Sequence, residues 1–115
     1  MLFANQIKKL REENNLLQRQ LASALEIDTP MYSKIERGDR LAKRKQVVII
    51  AKFLSTDENE LLTLWLADKV FDVLVGEKEL AEKTLRVVKE KFKKLYFVSL
   101  NKLLILTGLL FDVKN

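Results

Sequence analysis

Residues 16–38 read LLQRQLASALEIDTPMYSKIERG, and the fold is decided within this stretch. Leu21, Ala22 and Leu25 form one short apolar stripe, and Tyr32 with Ile35 forms another. Between them lies the connector Glu26-Ile27-Asp28-Thr29, so two short helices are expected to meet at a tight turn. Pro30 disfavours the α conformation at the residue before it, which makes Thr29 the expected N-cap. Pro30 is then the first helical residue, where a missing N–H costs nothing. Gly38 closes the second of these helices at a position that favours a left-handed residue. Ala22 lies on the inner face of the first, where a small side chain lets the pair cross steeply and Leu or Phe would force it apart. With Tyr32 and Ile35 turned inward, Thr29, Pro30, Met31, Ser33 and Lys34 face outward.

Upstream, Phe3, Ile7 and Leu10 recur at helical spacing and predict a helix over residues 3–14, interrupted by Asn14-Asn15. Downstream, the polar run Asp39 to Gln46 leads into Val47, Val48, Ile50, Ala51 and Leu54, a fourth helix. Asp57 followed by Glu60 is a capping-box pattern that opens a strongly apolar fifth helix, reaching Val75 before Gly76 ends it. From Glu77 to Leu95, the positions Ala81, Leu85, Val88, Phe92 and Leu95 make a heptad seam two repeats long. Two repeats leave open whether this helix packs on helix five of its own chain or on a partner. Residues 95–111 hold 12 apolar residues in 17, among them Tyr96, Phe97, Leu103 to Leu106 and Phe111. The run is short of the roughly 20 residues needed to span a bilayer and carries Asn101 and Lys102 in its middle, so burial against protein, partly a second subunit, is expected. Its conformation, helix or strand, stays open.

The 115 residues suit a small domain with a helical appendage, and three Gly with one Pro favour helices over sheet. The absence of Cys and His removes disulfides, thiol nucleophiles, imidazole bases and the usual zinc ligands. Acidic residues fall beside basic ones and read as solvated faces, so neither an enzyme nor a cofactor is expected. Residues 1–54 contain 11 Lys or Arg against 6 Asp or Glu, whereas residues 55–115 contain 10 of each. The positive excess therefore belongs to the first half, as it would in a phosphate-binding half joined to an assembly half. No basic stretch precedes an apolar one at the N-terminus, and a cytoplasmic location without a membrane partner is expected.

The segments Leu16 to Ala22, Leu25-Glu26-Ile27 and Tyr32 to Gly38 together resemble the Cro/repressor, or xenobiotic-response-element, family of helix-turn-helix regulators. The resemblance covers about residues 3–62 and puts Ile7, Leu10, Leu21, Ala22, Ile27, Ile35, Val47, Ile50, Ala51 and Leu54 on core positions. It implies a five-helix lambda-repressor-like DNA-binding domain, placed over residues 1–75 with its core at 3–62; the apolar pattern beyond it makes residues 76–115 an expected C-terminal helical dimerisation extension, and the fold class is all-α. It also implies an ion pair between Arg11 and Glu36. Three residues depart from the family pattern. Leu17 stands where Ser or Thr caps the second helix, Glu26 where Gly makes the turn, and Thr56 where an apolar residue is usual.

The expected function is that of a sequence-specific regulator, a homodimeric repressor or autoregulator that binds double-stranded DNA at an inverted repeat with its third helix in the major groove. Thr29, Pro30, Met31, Ser33 and Lys34 form the expected base-reading face; Lys34 suits guanine O6 and N7, and its neighbours suit a thymine methyl. Gln18, Arg19, Arg37, Arg40, Lys43, Arg44 and Lys45 are the expected phosphate contacts. Leu64, Trp65, Phe71, Leu85, Val88 and Phe92 are the expected dimer contacts. The alternative is a protein-interaction module, such as an antitoxin or anti-repressor, on the same scaffold. The sequence leaves open whether a small-molecule effector controls it.

Overall fold

The computed structural model describes residues 1–108, which form six helices: α1 (Leu2–Glu13), α2 (Gln18–Ala24), α3 (Thr29–Arg37), α4 (Arg44–Phe53), α5 (Glu58–Leu74) and α6 (Ala81–Thr107). Phe111, counted above in the apolar tail, lies outside the described residues. The chain divides into two compact units, Met1–Val73 and Leu74–Asn115.

Four helices of the first unit end the same way. After α1, α2, α3 and α4 the chain enters the left-handed region at Asn15 (φ 54°), Glu26 (φ 57°), Gly38 (φ 81°) and Ser55 (φ 53°). The next N–H reaches back to the last turn: Leu16 to Arg11 at 3.0 Å, Ile27 to Ala22 at 3.0 Å, Asp39 to Lys34 at 2.9 Å and Thr56 to Ala51 at 3.0 Å. These bonds satisfy carbonyls the helix leaves open and turn the chain sharply. Glu26 takes the strained conformation expected of a residue in a glycine position, and Asn15 and Ser55 share it. Of the residues that follow these turns, Leu16 and Ile27 pack against the core, whereas Asp39 and Thr56 are polar at the equivalent places.

The core of the first unit gathers Ile7 from α1, Leu21 and Ala22 from α2, Tyr32 and Ile35 from α3, Val47, Ile50 and Ala51 from α4, and Leu61, Leu62 and Trp65 from α5. Leu10 and Ile27, expected inside, are partly buried at its edge. Ala22 is fully enclosed where α2 packs on α3, which suits its small side chain.

Several expectations are corrected. The N-cap of α3 is Asp28, whose Oδ1 accepts from Met31 N at 2.8 Å; Thr29 is already helical. An ionised carboxylate is the stronger acceptor at a positive helix end, and Asp28 outcompetes the Thr29 hydroxyl one residue on. At α5, Asp57 Oδ1 accepts from Asn59 N at 3.4 Å, and no reciprocal bond from Glu60 accompanies it among the described residues. Trp65, expected among the dimer contacts, faces inward instead. Its side chain is buried in its own domain and its Nε1 donates to Ala42 O at 2.8 Å, with Lys69 Nζ lying 3.5 Å over the ring. An indole needs both apolar burial and a hydrogen-bond acceptor, and the loop before α4 supplies them. Leu64 is partly buried against the same core.

Asp68 reaches across the domain from α5. Its two oxygens accept from Leu2 N and Phe3 N, both at 2.9 Å, and so cap the start of α1. Met1 offers no side-chain cap there, so the carboxylate satisfies N–H groups that would otherwise be buried without a partner.

The second unit is dominated by α6, a continuous helix of 27 residues in which no residue is buried. Residues 95–107, whose conformation the sequence left open, are helical. Gly108 (φ 76°) ends the helix in the left-handed conformation. No helix among the described residues is long and apolar enough to cross a membrane.

Candidate nucleic-acid interface

The buried side of α3 is anchored by Tyr32, Ile35 and Glu36, all at most 4% exposed. Because the helix is rigid, fixing that side fixes the other: Thr29, Pro30 and Lys34 are exposed, and Met31 and Ser33 are half-buried at the flank. The five expected base-reading residues thus share one outward side of α3, with Lys34 the charged donor among them.

A polar network locks α3 to its neighbours. Arg11 Nε donates to both Glu36 oxygens at 3.1 and 3.0 Å, and Arg11 Nη2 donates to Oε1 at 2.7 Å. Arg11 Nη1 donates to Leu16 O at 2.9 Å, which ties the α1–α2 turn into the same cluster. This forked geometry is available to a guanidinium and not to a lysine. Burial alone would raise the Glu36 carboxyl, yet hydrogen bonds led by Arg11, and the Arg11 charge, outweigh it and hold the group below its ordinary value. Arg11 is raised in turn, chiefly by its hydrogen bond to Glu36. Tyr32 is raised by burial first and by Glu36 next; its hydroxyl has no hydrogen-bond partner among the described residues.

Gln18, expected at a phosphate, donates instead from Nε2 to Glu36 Oε1 at 3.3 Å, so its amide braces the start of α2 against α3. Leu17, the cap, provides no side-chain acceptor; Gln20 Oε1 accepts from Leu17 N at 2.7 Å, half of a capping box. Arg37 Nη1 donates to Ser33 Oγ at 2.8 Å and Arg37 Nε pairs with Asp39 at 3.0 Å, which joins a reading residue to an expected phosphate contact.

Arg40, Lys43, Arg44 and Lys45 are exposed, and none of them forms an ion pair among the described residues. Lys43 is the cap of α4, and Arg44 and Lys45 occupy its first turn with no acidic residue beside them. Positive charge at a positive helix end is unfavourable by itself, and an arriving anion removes the conflict. Gln46 Oε1 accepts from Lys43 N at 2.9 Å and fixes this turn.

Sequence reasoning missed Asp28 and Asp68. Asp28 was legible as a capping residue two before Pro30, whereas nothing local marks Asp68. Among the described residues no three His, Cys, Asp or Glu side chains converge as a metal cluster would require. The helix-turn-helix family model matches residues 7–61. No curated protein and no solved structure matches the chain significantly.

Proposed function

We propose that the chain, whose residues 7–61 match a helix-turn-helix family model and which is all-helical over the described residues, is a DNA-binding transcription regulator of the Cro/repressor type that acts as a homodimer on an inverted repeat. Each copy lays α3 in a major groove, with half-sites about one helical turn apart. Repression or autoregulation follows where such an operator overlaps a promoter.

The observation that carries this reading is the division of α3: Tyr32, Ile35 and Glu36 are held by the core while Thr29, Pro30 and Lys34 are exposed, beside the uncompensated basic turn Lys43-Arg44-Lys45. In the proposed complex Lys34 reads guanine, and Thr29, Pro30 and Met31 contact thymine methyls, with Ser33 at the edge. Arg19, Arg37, Arg40, Lys43, Arg44 and Lys45 meet phosphates, and Gln18 contributes through the helix start it braces. The dimer surface is the outer side of α5, where Leu66, Val70, Phe71 and Val73 are exposed opposite the buried Leu61 and Trp65. A helix with apolar residues on both sides can cover only one within its own domain.

Selection of bound duplexes from random oligonucleotides tests the reading. A symmetric site is expected, with affinity falling about 10³-fold or more between about 50 and 200 mM salt for about six phosphate contacts. Lys34→Ala should cost about 1–3 kcal/mol and relax one base position, whereas Arg44→Ala should weaken all sites evenly and reduce the salt slope by about one. Flat salt dependence, or binding unchanged in both variants, refutes the proposal.

A further inference from the structure

Helix α6 changes character along its length. Through residue 94 it carries a narrow apolar stripe, Leu85, Val88 and Phe92 following Ala81, and its remaining surface is charged apart from Thr84 and Val87. That surface is strongly basic, with Lys83, Arg86, Lys89, Lys91, Lys93 and Lys94 against only Glu82 and Glu90. From Leu95 onward the helix is mostly apolar, interrupted by Ser99, Asn101 and Lys102: at helical spacing Phe97, Val98, Leu100, Leu103, Ile105 and Leu106 are distributed round the axis, and each is more than half exposed. Phe92 and Tyr96 stack, ring centroids 6.0 Å apart, at the junction.

One partner helix covers one side of another, so residues 95–107 need an apolar medium around them rather than a groove. A second copy of α6 fits poorly, because a parallel pair on this seam flanks it with Lys89 and Lys91 of both copies. Duplex DNA answers the charge and leaves the apolar half in water. A lipid surface answers both, and the order basic, aromatic, apolar is the one that a helix entering a headgroup layer requires.

We propose that α6 docks the protein on an anionic lipid surface, in departure from the expectation of no membrane partner. The first half lies in the interface with its stripe downward and its lysines reaching anionic headgroups. Residues 95–107 enter the near leaflet at a shallow angle, with the Lys102 stem in the apolar layer and its ammonium extended back to the headgroups; at 1.5 Å per residue they extend about 20 Å, too short to span about 30 Å of hydrocarbon.

Flotation of the full chain with vesicles tests this independently of DNA recognition. Phosphatidylcholine vesicles containing phosphatidylglycerol should carry the protein, and vesicles of phosphatidylcholine alone should carry at least tenfold less. Each basic residue at such a surface contributes about fivefold, so Lys91→Gln with Lys93→Gln and Lys94→Gln should lower partitioning about 100-fold. Phe97→Ser with Leu103→Ser should lower it even at low salt. Oligonucleotide binding measured in parallel should not change in either variant. No flotation with anionic vesicles overturns the proposal, as does equal binding to both vesicle types. A lysine variant that loses DNA affinity while keeping its vesicle binding also overturns it, by assigning those charges to nucleic acid.

Discussion

Removing the Arg11 side chain should destabilise the DNA-binding domain far more than loss of a surface charge would. Glu36 keeps only 2% of its side-chain surface in contact with solvent and Arg11 keeps 13%, so the pair is largely withdrawn from water. Breaking a buried pair by removing one partner costs about 3–5 kcal/mol, because the remaining charge is left without compensation. The guanidinium edge is partly hydrated, which places Arg11→Ala near the lower end, at about 3 kcal/mol. A domain of this size loses about 6 °C of Tm per kcal/mol, so thermal unfolding followed by far-ultraviolet circular dichroism should shift down by about 20 °C. Adding Glu36→Gln removes the stranded charge and should recover half of the loss or more. The pH dependence gives an independent check. Glu36 is held below its ordinary 4.5 in the native state, so the pair's contribution is fully present above that value and is lost as pH falls through the depressed native value. In Arg11→Ala the burial remains without the partner, the carboxyl rises, and acid relieves the penalty. The gap between the two proteins should therefore narrow below about pH 4. A loss under about 1 kcal/mol, or a gap constant from neutral to acid pH, would refute the reasoning.

Asp68→Ala should cost about 1–2 kcal/mol and speed amide exchange at Leu2 and Phe3, the two N–H groups it accepts from; unchanged exchange would remove its capping role. Glu26→Gly should raise Tm by about 3–6 °C, because relief of a left-handed side chain exceeds the added freedom of the unfolded chain; a lower Tm would count against strain at φ 57°. Trp65→Phe should lower Tm at every protein concentration, by about 1–3 kcal/mol equivalent, through the lost bond to Ala42 O, and leave the mass in solution unaltered; a change in mass would assign Trp65 to a contact between copies of the chain.

What the chain could declare by itself was whatever rests on neighbours in sequence. The stripes Leu21-Ala22-Leu25 and Tyr32-Ile35 and the stop at Gly38 arise from contacts within a few residues, and each is found in place; the left-handed turn at Glu26 is found too, but it was reached through the family pattern. The outward side of α3 followed from the inward one by helix geometry alone. The Arg11–Glu36 pair spans 25 residues and was reached only through resemblance to a family. Packing decided the rest. Asp68 reads as a surface acid on α5 until the start of α1 is brought to it from 66 positions away. Trp65 reads as a sticky surface residue until Ala42 offers its carbonyl. Gln18 reads as a surface amide at a helix start until Glu36 comes within reach of its Nε2. In each case the side chain had two suitable partners by chemistry, and only the folded backbone determined which of them came within hydrogen-bonding reach.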